Sequence, residues 1–250
     1  MNDQPYLSVV ISAYNEADNL HRGSLNVVID YLKEQNFTWE VIIVNDGSSD
    51  NTSSLLHELA NRHSELTIID NPHMGKAAGI ATGVFSAKGE IILFSDMDQA
   101  TPITELDKFL PKLRSGYSIV IGSRSGRPNA PLFRKVLAYG NVIMRALILQ
   151  LPIKDTQCGF KAFTAEAGKR IFQIMNKITP PRVISGPAVN PGFDVEMLYL
   201  GRKMGYKIVE VPVSWRHQES RRVSFVKDAI AGLTGLLLVR FRSLTHAYKI

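Results

Sequence analysis

Cysteine and long apolar runs are scarce in this sequence, and each scarcity excludes a class of protein. Cys158 is the single cysteine among 250 residues, so no internal disulfide can form and a reducing compartment is indicated. The longest apolar run, 229–239, is interrupted by two glycines and a threonine and is far shorter than the roughly 20 residues that cross a bilayer. No histidine and cysteine cluster has zinc spacing. The N-terminal residues do not join a basic to an apolar segment, so we expect no signal peptide.

The composition indicates a folded domain with an anionic partner. Hydrophobic residues make up 45% of the chain and charged residues 21%, which is ordinary for a globular protein. Lys and Arg number 29 against 23 Asp and Glu, a net charge of +6 that suits nucleic acid, an anionic membrane or a phosphorylated substrate. The basic residues do not interleave with aromatics as a base-stacking surface would, so a nucleic-acid partner is not expected.

Short apolar segments alternate with helical patterns over the first half of the chain. Strands are predicted at 7–12, 40–44, 66–69, 90–94 and 118–121, with helices at 16–34, 52–62, 75–87 and 104–114. Continuous strands rich in Val and Ile, separated by helices, are typical of a parallel sheet covered on both faces. The sequence therefore predicts an α/β fold with a mostly parallel, Rossmann-like sheet.

Polar clusters follow three of the predicted strands, at the edge where such sheets bind ligands. They are 12–16 after the first strand, 45–50 after the second, and Asp96 with Asp98 after the fourth. Each cluster alone is compatible with a helix cap, because its residue types suit that position. Three clusters converging on one edge favour a nucleotide site.

The tetrapeptide Ser95-Asp96-Met97-Asp98 places two carboxylates after an apolar run. In an extended strand, Asp96 and Asp98 would lie on the same side, since side chains alternate with period two. A hard divalent cation that bridges a diphosphate prefers such oxygen ligands. The alternative is a solvated turn after a strand, which is common for an isolated D-x-D motif.

Eight segments, taken in order, resemble one enzyme family. They are VVISAYNEADNL at 9–20, VIIVNDGSSDNT at 41–52, MGKAAGIATGV at 74–84, FSDMDQATP at 94–102, GSR at 122–124, DTQCGFKAF at 155–163, FDVEMLYL at 193–200 and VPVSWRH at 211–217. The chain resembles inverting family 2 glycosyltransferases with a GT-A fold, in the branch of dolichyl-phosphate glucosyl- and mannosyltransferases. DTQCGFK followed by FDVE is the narrowest of these matches and indicates a polyprenyl-phosphate acceptor.

The resemblance implies a binding site for a nucleotide-sugar donor and a divalent metal. The implied donor-binding residues are Ser12, Tyr14, Glu16, Asp46, Lys76, Asp96 and Arg222. Asp96 and Asp98 would hold Mg²⁺ or Mn²⁺ against the diphosphate. For Lys76 and Arg222 the alternative is a solvated basic side chain, which is the commoner situation for these residue types.

The segment that contains Asp96 and Asp98 differs in sequence from the corresponding segment of some mannosyltransferase relatives. Those relatives carry a glutamine two residues after the second aspartate, where this chain has Ala100, with Gln99 one place earlier. Ligation of the metal by Gln99 is therefore not expected, and UDP-glucose is favoured over GDP-mannose as the donor.

Arginines that follow the fifth predicted strand are the candidates for binding the acceptor. A lipid phosphate is already ionised at pH 7 and needs charge neutralisation rather than a strong base. The planar fork of arginine suits this task. The resemblance implies that Arg124 and Arg134 grip the acceptor phosphate, with Arg127 a weaker candidate. Asp194 would orient the sugar, or act as general base if the acceptor is a hydroxyl.

Two further segments are expected to shape the site. The resemblance implies that Asp155, Gln157 and Lys161 organise a loop beneath the sugar, with Cys158 a small buried filler. It also implies that residues 215–222 form a loop over the donor.

Two basic amphipathic helices are predicted to lie at a membrane interface. One helix covers 132–149. The main domain is predicted to cover 1–224, and the second helix lies in the segment that follows, 225–250, where its basic residues are Lys227, Arg240 and Arg242. Packing on the domain or a homodimer face is the alternative for such stripes. The expected location is the cytoplasmic face of a membrane, reached by peripheral contact.

Two other functions stay open from the sequence. One is a GT-A transferase that acts on a polysaccharide or other hydroxyl acceptor, with Asp194 as base. The other is a non-catalytic module that binds nucleotide sugars, against which the presence of both D-x-D carboxylates counts.

Overall fold

A computed structural model describes residues 4–124, 132–185, 192–216 and 225–250 of the chain, and gives the backbone alone at 132–139, 141 and 225–231. The strands are β1 (Leu7–Ala13), β2 (Trp39–Asp46), β3 (Leu66–Asn71), β4 (Ile91–Asp96), β5 (Ile119–Ser123), β6 (Lys161–Thr164) and β7 (Ile208–Pro212). The helices are α1 (Ala17–His21), α2 (Ser24–Lys33), α3 (Thr52–Ala60), α4 (Lys76–Ser86), α5 (Leu106–Arg114), α6 (Leu132–Leu149), α7 (Ala165–Ile178), α8 (Phe193–Lys203) and α9 (Phe225–Leu244).

The strands join in one seven-stranded sheet in the order β3-β2-β1-β4-β6-β5-β7. Strand β6 runs antiparallel to β4 and β5, and the other neighbouring pairs are parallel. The predicted α/β class and mostly parallel sheet are confirmed. Strands β6 and β7 are additional to the predicted ones, and β6 is only 4 residues long, too short for a clear alternation pattern.

Alternation along the strands divides the core into two layers. In β1, Val9 and Ile11 lie in the layer that contains the buried side chains of α2, whereas Val10 lies in the layer that contains those of α4. The helix predicted at 16–34 is divided into α1 and α2. Gly23 separates them with a φ of 77°, a left-handed conformation that glycine adopts without strain.

Helix α4 lies close against β1 because glycines face the strand. A Cβ on Gly79 would lie 2.4 Å from Ser12 Oγ, and one on Gly83 would lie 2.3 Å from Val10 Cγ1. The two glycines are one helical turn apart, so the same side of the helix approaches the strand along its length. This contact brings Lys76, the first residue of α4, to the carboxyl end of the sheet.

Helix α9 packs against α6 and α8 through one face and exposes the other. Leu236 and Val239 are buried on the packed face. The predicted amphipathic pattern rests on apolar residues that repeat about every 3.5 positions along this helix. Those whose side chains the structure describes lie on the exposed face, with exposed fractions of 39% for Leu233, 52% for Leu237, 64% for Phe241 and 62% for Leu244. Among the described residues, no helix has the length and apolarity to cross a membrane.

The basic residues of α9 do not share one role. Arg242 donates to Glu196 of α8 at 2.7 Å and to Thr179 at 3.0 Å, and Tyr248 donates to the same Glu196 at 2.8 Å. The prediction that Arg242 faces lipid is therefore wrong, because its guanidinium holds the helix to the domain. Arg240 is exposed, and the Lys227 side chain lies outside the described residues.

Candidate active site

The carboxyl ends of β1, β2 and β4 bring the predicted donor-binding residues together. Ser12 pairs in register with Val44 on one side and with Asp96 on the other. Tyr14 follows the end of β1, and Asp46 ends β2. This is the edge at which ligands bind in open α/β sheets. The Ser12 hydroxyl itself faces Gly79 of α4, and its contact with a donor stays a prediction.

Asp96 is held between α4 and the turn at Gly159. Its Oδ1 accepts a hydrogen bond from Lys76 Nζ at 2.5 Å. On the opposite side, a Cβ at position 159 would lie 1.9 Å from Oδ2, so only glycine leaves room for the carboxylate. Burial is the largest single influence and would raise the pKa of Asp96, but the nearby cations, Lys76 first and then Lys161 and Arg124, together outweigh it and lower the pKa. Asp96 is therefore an ionised carboxylate in a fixed position.

Asp98 lies in a turn and not in a strand. Strand β4 ends at Asp96, the Ala100 backbone N–H donates to Asp98 Oδ1 at 3.0 Å, and Gln99 has a left-handed φ of 49°. The extended alternation predicted for this segment is therefore wrong, because a turn follows directly after β4. Gln99 Nε2 donates back to the Asp96 carbonyl oxygen at 2.8 Å.

The carboxylates Asp96 and Asp98 affect the pKa of acidic groups near them. Burial raises the pKa of Asp98, and the charge of Asp96 raises it further. Burial also raises the pKa of Glu16, with smaller contributions from Asp98 and Asp96. Within the described ranges, no three His, Cys, Asp or Glu side chains are grouped to hold a metal ion. The Asp96 and Asp98 oxygens fit part of the coordination sphere of Mg²⁺ or Mn²⁺, and such an ion would relieve the repulsion between them.

Asp46 is buried beneath the loop that follows β3. The Met74 N–H donates to its Oδ1 at 2.8 Å and the Gly75 N–H donates to its Oδ2 at 2.8 Å. The Nδ1 atom of His73 lies 2.8 Å from the same Oδ2. Asp46 therefore holds this loop against the end of β2, and its predicted contact with the donor stays a prediction.

Lys161 is fully buried beneath the site. Its Nζ donates to the Cys158 carbonyl at 2.5 Å and to Asp194 Oδ1 at 2.6 Å. Asp194 lies in the first turn of α8, where the helix dipole also favours a negative charge. The charge of Asp96 and, to a smaller extent, that of Asp194 raise the pKa of Lys76. Lys161 therefore fixes Asp194 near the other charged groups of the site.

Arg124 is fixed by a carboxylate of the DTQCGFK segment. Its Nε donates to Asp155 Oδ2 at 2.7 Å and its Nη2 to Asp155 Oδ1 at 2.9 Å, while its backbone N–H donates to Oδ2 at 2.9 Å. The loop that carries Asp155 is held by Glu210 of β7, which accepts hydrogen bonds from the Lys154 and Asp155 N–H groups. The Arg124 Cζ lies 5.7 Å from the centre of the Trp215 ring.

Some predicted site residues lie outside the described residues. They are Arg127, Arg222 with the rest of the predicted donor loop from 217 to 222, and the side chain of Arg134, whose backbone is in α6. Two residues near the site were not predicted, His73 and Gly159. His73 precedes the MGK segment and Gly159 lies within DTQCGFK, so the motifs contained the signal that these segments matter, but not which contacts they make.

Comparison with known sequences identifies the family. The model of glycosyl transferase family 2 matches residues 8–172. A dolichyl-phosphate beta-glucosyltransferase of Trichomonas vaginalis is 36% identical over 236 residues, which are 88% of this chain and 68% of that protein. The human dolichyl-phosphate beta-glucosyltransferase is 32% identical over 266 residues, covering 98% of this chain and 78% of the human protein.

Comparison with solved structures supports the same fold. A mannosyltransferase from Pyrobaculum calidifontis, solved in complex with GDP-Man and Mn²⁺, matches with a TM-score of 0.59 and 22% identity over 98% of this chain and 65% of that chain. Glucosyl-3-phosphoglycerate synthase from Mycobacterium tuberculosis matches with a TM-score of 0.60 and 18% identity over 94% of this chain and 80% of that chain. At such identities the likeness concerns the fold, which is GT-A. With the family model matching more than half of its length, the chain belongs to glycosyltransferase family 2 and is a glycosyltransferase.

Proposed function

We propose that the protein transfers glucose from UDP-glucose to dolichyl phosphate or another polyprenyl phosphate, with inversion at the sugar carbon. The observation that carries the proposal is the sequence similarity of this chain to dolichyl-phosphate beta-glucosyltransferases. Dolichyl-phosphate beta-glucosyltransferases from Trichomonas, Dictyostelium, human and yeast are 28–36% identical over 88–99% of this chain. The similarity therefore covers most of the chain, including the second half with the predicted acceptor residues, and not only the nucleotide-binding first half.

The two carboxylates of the D-x-D segment are proposed to hold Mg²⁺ or Mn²⁺. Such an ion, when bound, neutralises charge on the donor diphosphate and helps the nucleotide to leave. The fixed, ionised state of Asp96 and the raised pKa of Asp98 beside it support this role, since a cation would stabilise both charges. Lys76, already paired with Asp96, is suitably placed to contact the diphosphate.

Arg124 is proposed to bind the acceptor phosphate. A guanidinium has five N–H groups, and the side-chain hydrogen bonds of Arg124 to described residues engage two of them, both with Asp155, so this geometry suits a phosphate at the others. Arg134 is proposed as the second phosphate ligand. The acceptor oxygen would attack the sugar carbon as the bond to the nucleotide diphosphate breaks, and the ionised phosphate has no proton to lose in that step.

The contacts of Asp194 favour a phosphate acceptor over a hydroxyl acceptor. A hydroxyl acceptor needs a general base within reach of its proton. Asp194 Oδ1 is instead engaged by the buried Lys161 ammonium at 2.6 Å. This arrangement suits a side chain that orients the sugar.

Membrane contact is proposed for the outer face of α9 together with the exposed end of α6. Leu147 of α6 is 78% exposed and Phe241 of α9 is 64% exposed, and the two helices pack side by side. An exposed apolar surface of this kind suits an interface. A lipid-linked acceptor would bring the protein to the cytoplasmic face of a membrane as a peripheral protein.

The decisive experiment compares two acceptors that differ only in the phosphate. Purified protein, UDP-glucose and Mg²⁺ or Mn²⁺ are incubated with dolichyl phosphate or with dolichol, and UDP release is measured. We expect UDP release with dolichyl phosphate and not with dolichol. With dolichyl phosphate, an Asp98→Asn variant should be on the order of 10²-fold slower. Equal release with dolichol would support the hydroxyl-acceptor function. Donor binding without turnover on any acceptor would support a binding module.

A further inference from the structure

The imidazole ring of His73 stacks on one face of the Tyr14 ring, at the edge of the sheet where the donor is predicted to bind. The His73 and Tyr14 rings are stacked, with centroids 4.1 Å apart and planes inclined by 13°. Tyr14 follows β1 and His73 follows β3, so the pair bridges the end of β2, which lies between those strands. The stack therefore spans three neighbouring strand ends.

The His73 ring is held in place from below. Its Nδ1 lies 2.8 Å from Asp46 Oδ2 and 3.0 Å from the Asp46 carbonyl oxygen. Both atoms are acceptors when the carboxylate is ionised, so Nδ1 carries the proton and donates. The His73 and Asp46 side chains are only 13% and 1% exposed. Gly47 allows this approach, because a Cβ there would lie 2.7 Å from the His73 backbone nitrogen.

Tyr14, in contrast, is 39% exposed. Since His73 covers one face of its ring, the accessible area belongs to the other face and the edges. A flat aromatic face at the strand ends is a surface on which a nucleoside base can stack. A ring that is fixed from behind loses less freedom when a base stacks on it, which favours binding.

We propose that His73 is a positioning residue for the donor base: it is fixed by Asp46 and holds Tyr14 in the orientation that stacks on the base. This inference rests on the proposed use of a nucleotide-sugar donor and deepens it. The role belongs to the aromatic ring of His73 and acts through Tyr14. The hydrogen bond to Asp46 sets the position of the ring and does not itself touch the ligand.

The test measures binding of UMP by titration calorimetry, because UMP carries the base without the sugar or the diphosphate. His73→Phe keeps a flat ring, whereas His73→Asn keeps a side-chain N–H for Asp46 but has no ring. We expect His73→Ala and His73→Asn to bind UMP about tenfold more weakly and His73→Phe to stay within about threefold of wild type. His57→Ala is the matched control, since His57 also pairs with a carboxylate, Asp70, at 2.7 Å, away from Tyr14.

A double-mutant cycle tests whether His73 acts through Tyr14. The Tyr14→Ala, His73→Ala double variant should bind UMP no more weakly than Tyr14→Ala alone, and His73→Ala should raise KM for UDP-glucose with little change in kcat. Circular dichroism confirms that each variant is folded. Additive losses, or a His73→Asn variant that binds like wild type, would overturn the inference while leaving the proposed function intact. Failure of the wild type to bind UMP and UDP-glucose would overturn both.

Discussion

Gly159 determines where the Asp96 carboxylate can lie. We predict that Gly159→Ala lowers turnover by on the order of 10²-fold, because the new Cβ would lie 1.9 Å from Asp96 Oδ2 and must displace it. Displacements of about 1 Å at a reacting centre cause losses of this size. The measurement is steady-state UDP release, with thermal melting to follow the fold.

Gly140→Ala is the matched control for this substitution. Gly140 lies in α6, and no atom of the described residues lies within 4 Å of a Cβ placed on it. We expect normal turnover from the control, and a helix interior that is slightly more stable with alanine. An active Gly159→Ala variant with unchanged dependence on the metal concentration would contradict the role given to this glycine.

Residues of the site could be predicted from the sequence far better than their partners. Asp96, Lys76 and Arg124 stand in short local motifs that resemble those of the family, and this resemblance identifies them. Their partners Gly159 and Asp155 are distant in the chain, and only the antiparallel insertion of β6 between β4 and β5 brings them near. A four-residue strand carries too little pattern to predict that insertion.

At the scale of elements, the Arg124–Asp155 pair ties β5 to the segment before β6. Burial would raise the pKa of Asp155, but the hydrogen bonds and positive charge of Arg124, with a backbone hydrogen bond from Gln157, together outweigh burial and hold that pKa below its ordinary value of 3.8. A carboxylate with a lowered pKa in the folded state stabilises the fold above its unfolded pKa, and this stability is lost as the pH falls through the folded pKa. The pair should therefore matter at neutral pH and less in acid.

We predict that Asp155→Asn lowers the free energy of unfolding by about 2 kcal/mol at pH 7, because it removes the charge opposite a partly buried guanidinium. The difference from wild type should shrink as the pH falls below 3.8, the ordinary pKa of Asp155. Urea denaturation followed by circular dichroism at several pH values measures it. A deficit that stays constant down to the lowest pH at which the protein is folded would show that the ion pair is not its cause.

Two arginines on α9 provide a second contrast at this scale. Arg242 bonds Glu196 on the packed face, whereas Arg240 is exposed. We predict that Arg242→Ala costs about 3 kcal/mol of stability because it leaves Glu196 buried without its cation. Arg240→Ala should change stability by less than about 0.5 kcal/mol. Chemical denaturation measures the free energy of unfolding of both variants. Equal losses of stability would contradict the placement of Arg242 on the packed face and Arg240 on the exposed face.

The amphipathic pattern of α9 could be predicted, but the partners of its charges could not. Spacing near 3.5 residues places Leu233, Leu237 and Phe241 on one face, and the structure has these three exposed. The same spacing says nothing about what covers the other face. Glu196, which engages Arg242, is contributed by α8, and no periodicity within α9 contains that information.

Considered as a whole, the molecule separates its polar and apolar surfaces. The charged groups of the site gather at the carboxyl ends of the strands, whereas α6 and α9, which pack against each other, expose apolar side chains. A transferase with a soluble donor and a lipid-linked acceptor needs both kinds of surface. The net charge of +6 adds attraction to anionic lipid and to a negatively charged donor.

Truncating the chain before α9 would be a poor test of membrane contact, because Leu236 and Val239 of α9 and Tyr248 after it would be lost from the core. Substitutions on the outer face avoid this difficulty. We predict that the wild type sediments with anionic liposomes and is partly released by high salt, since each basic residue near the surface adds about 1 kcal/mol and is screened by ions. A Leu237→Glu, Phe241→Glu double variant should bind at least about 10²-fold more weakly, because each apolar side chain contributes about 1.5–3 kcal/mol on burial.

Val27→Glu is the control for this double variant, as Val27 is 54% exposed on α2, away from α9. The control should bind liposomes like wild type, and thermal melting should show all three proteins folded. If the double variant binds as tightly as wild type, the outer face of α9 does not contact lipid. Sedimentation velocity then separates the remaining alternatives, because a homodimer formed through this face would dissociate in the double variant and a monomeric surface would not change.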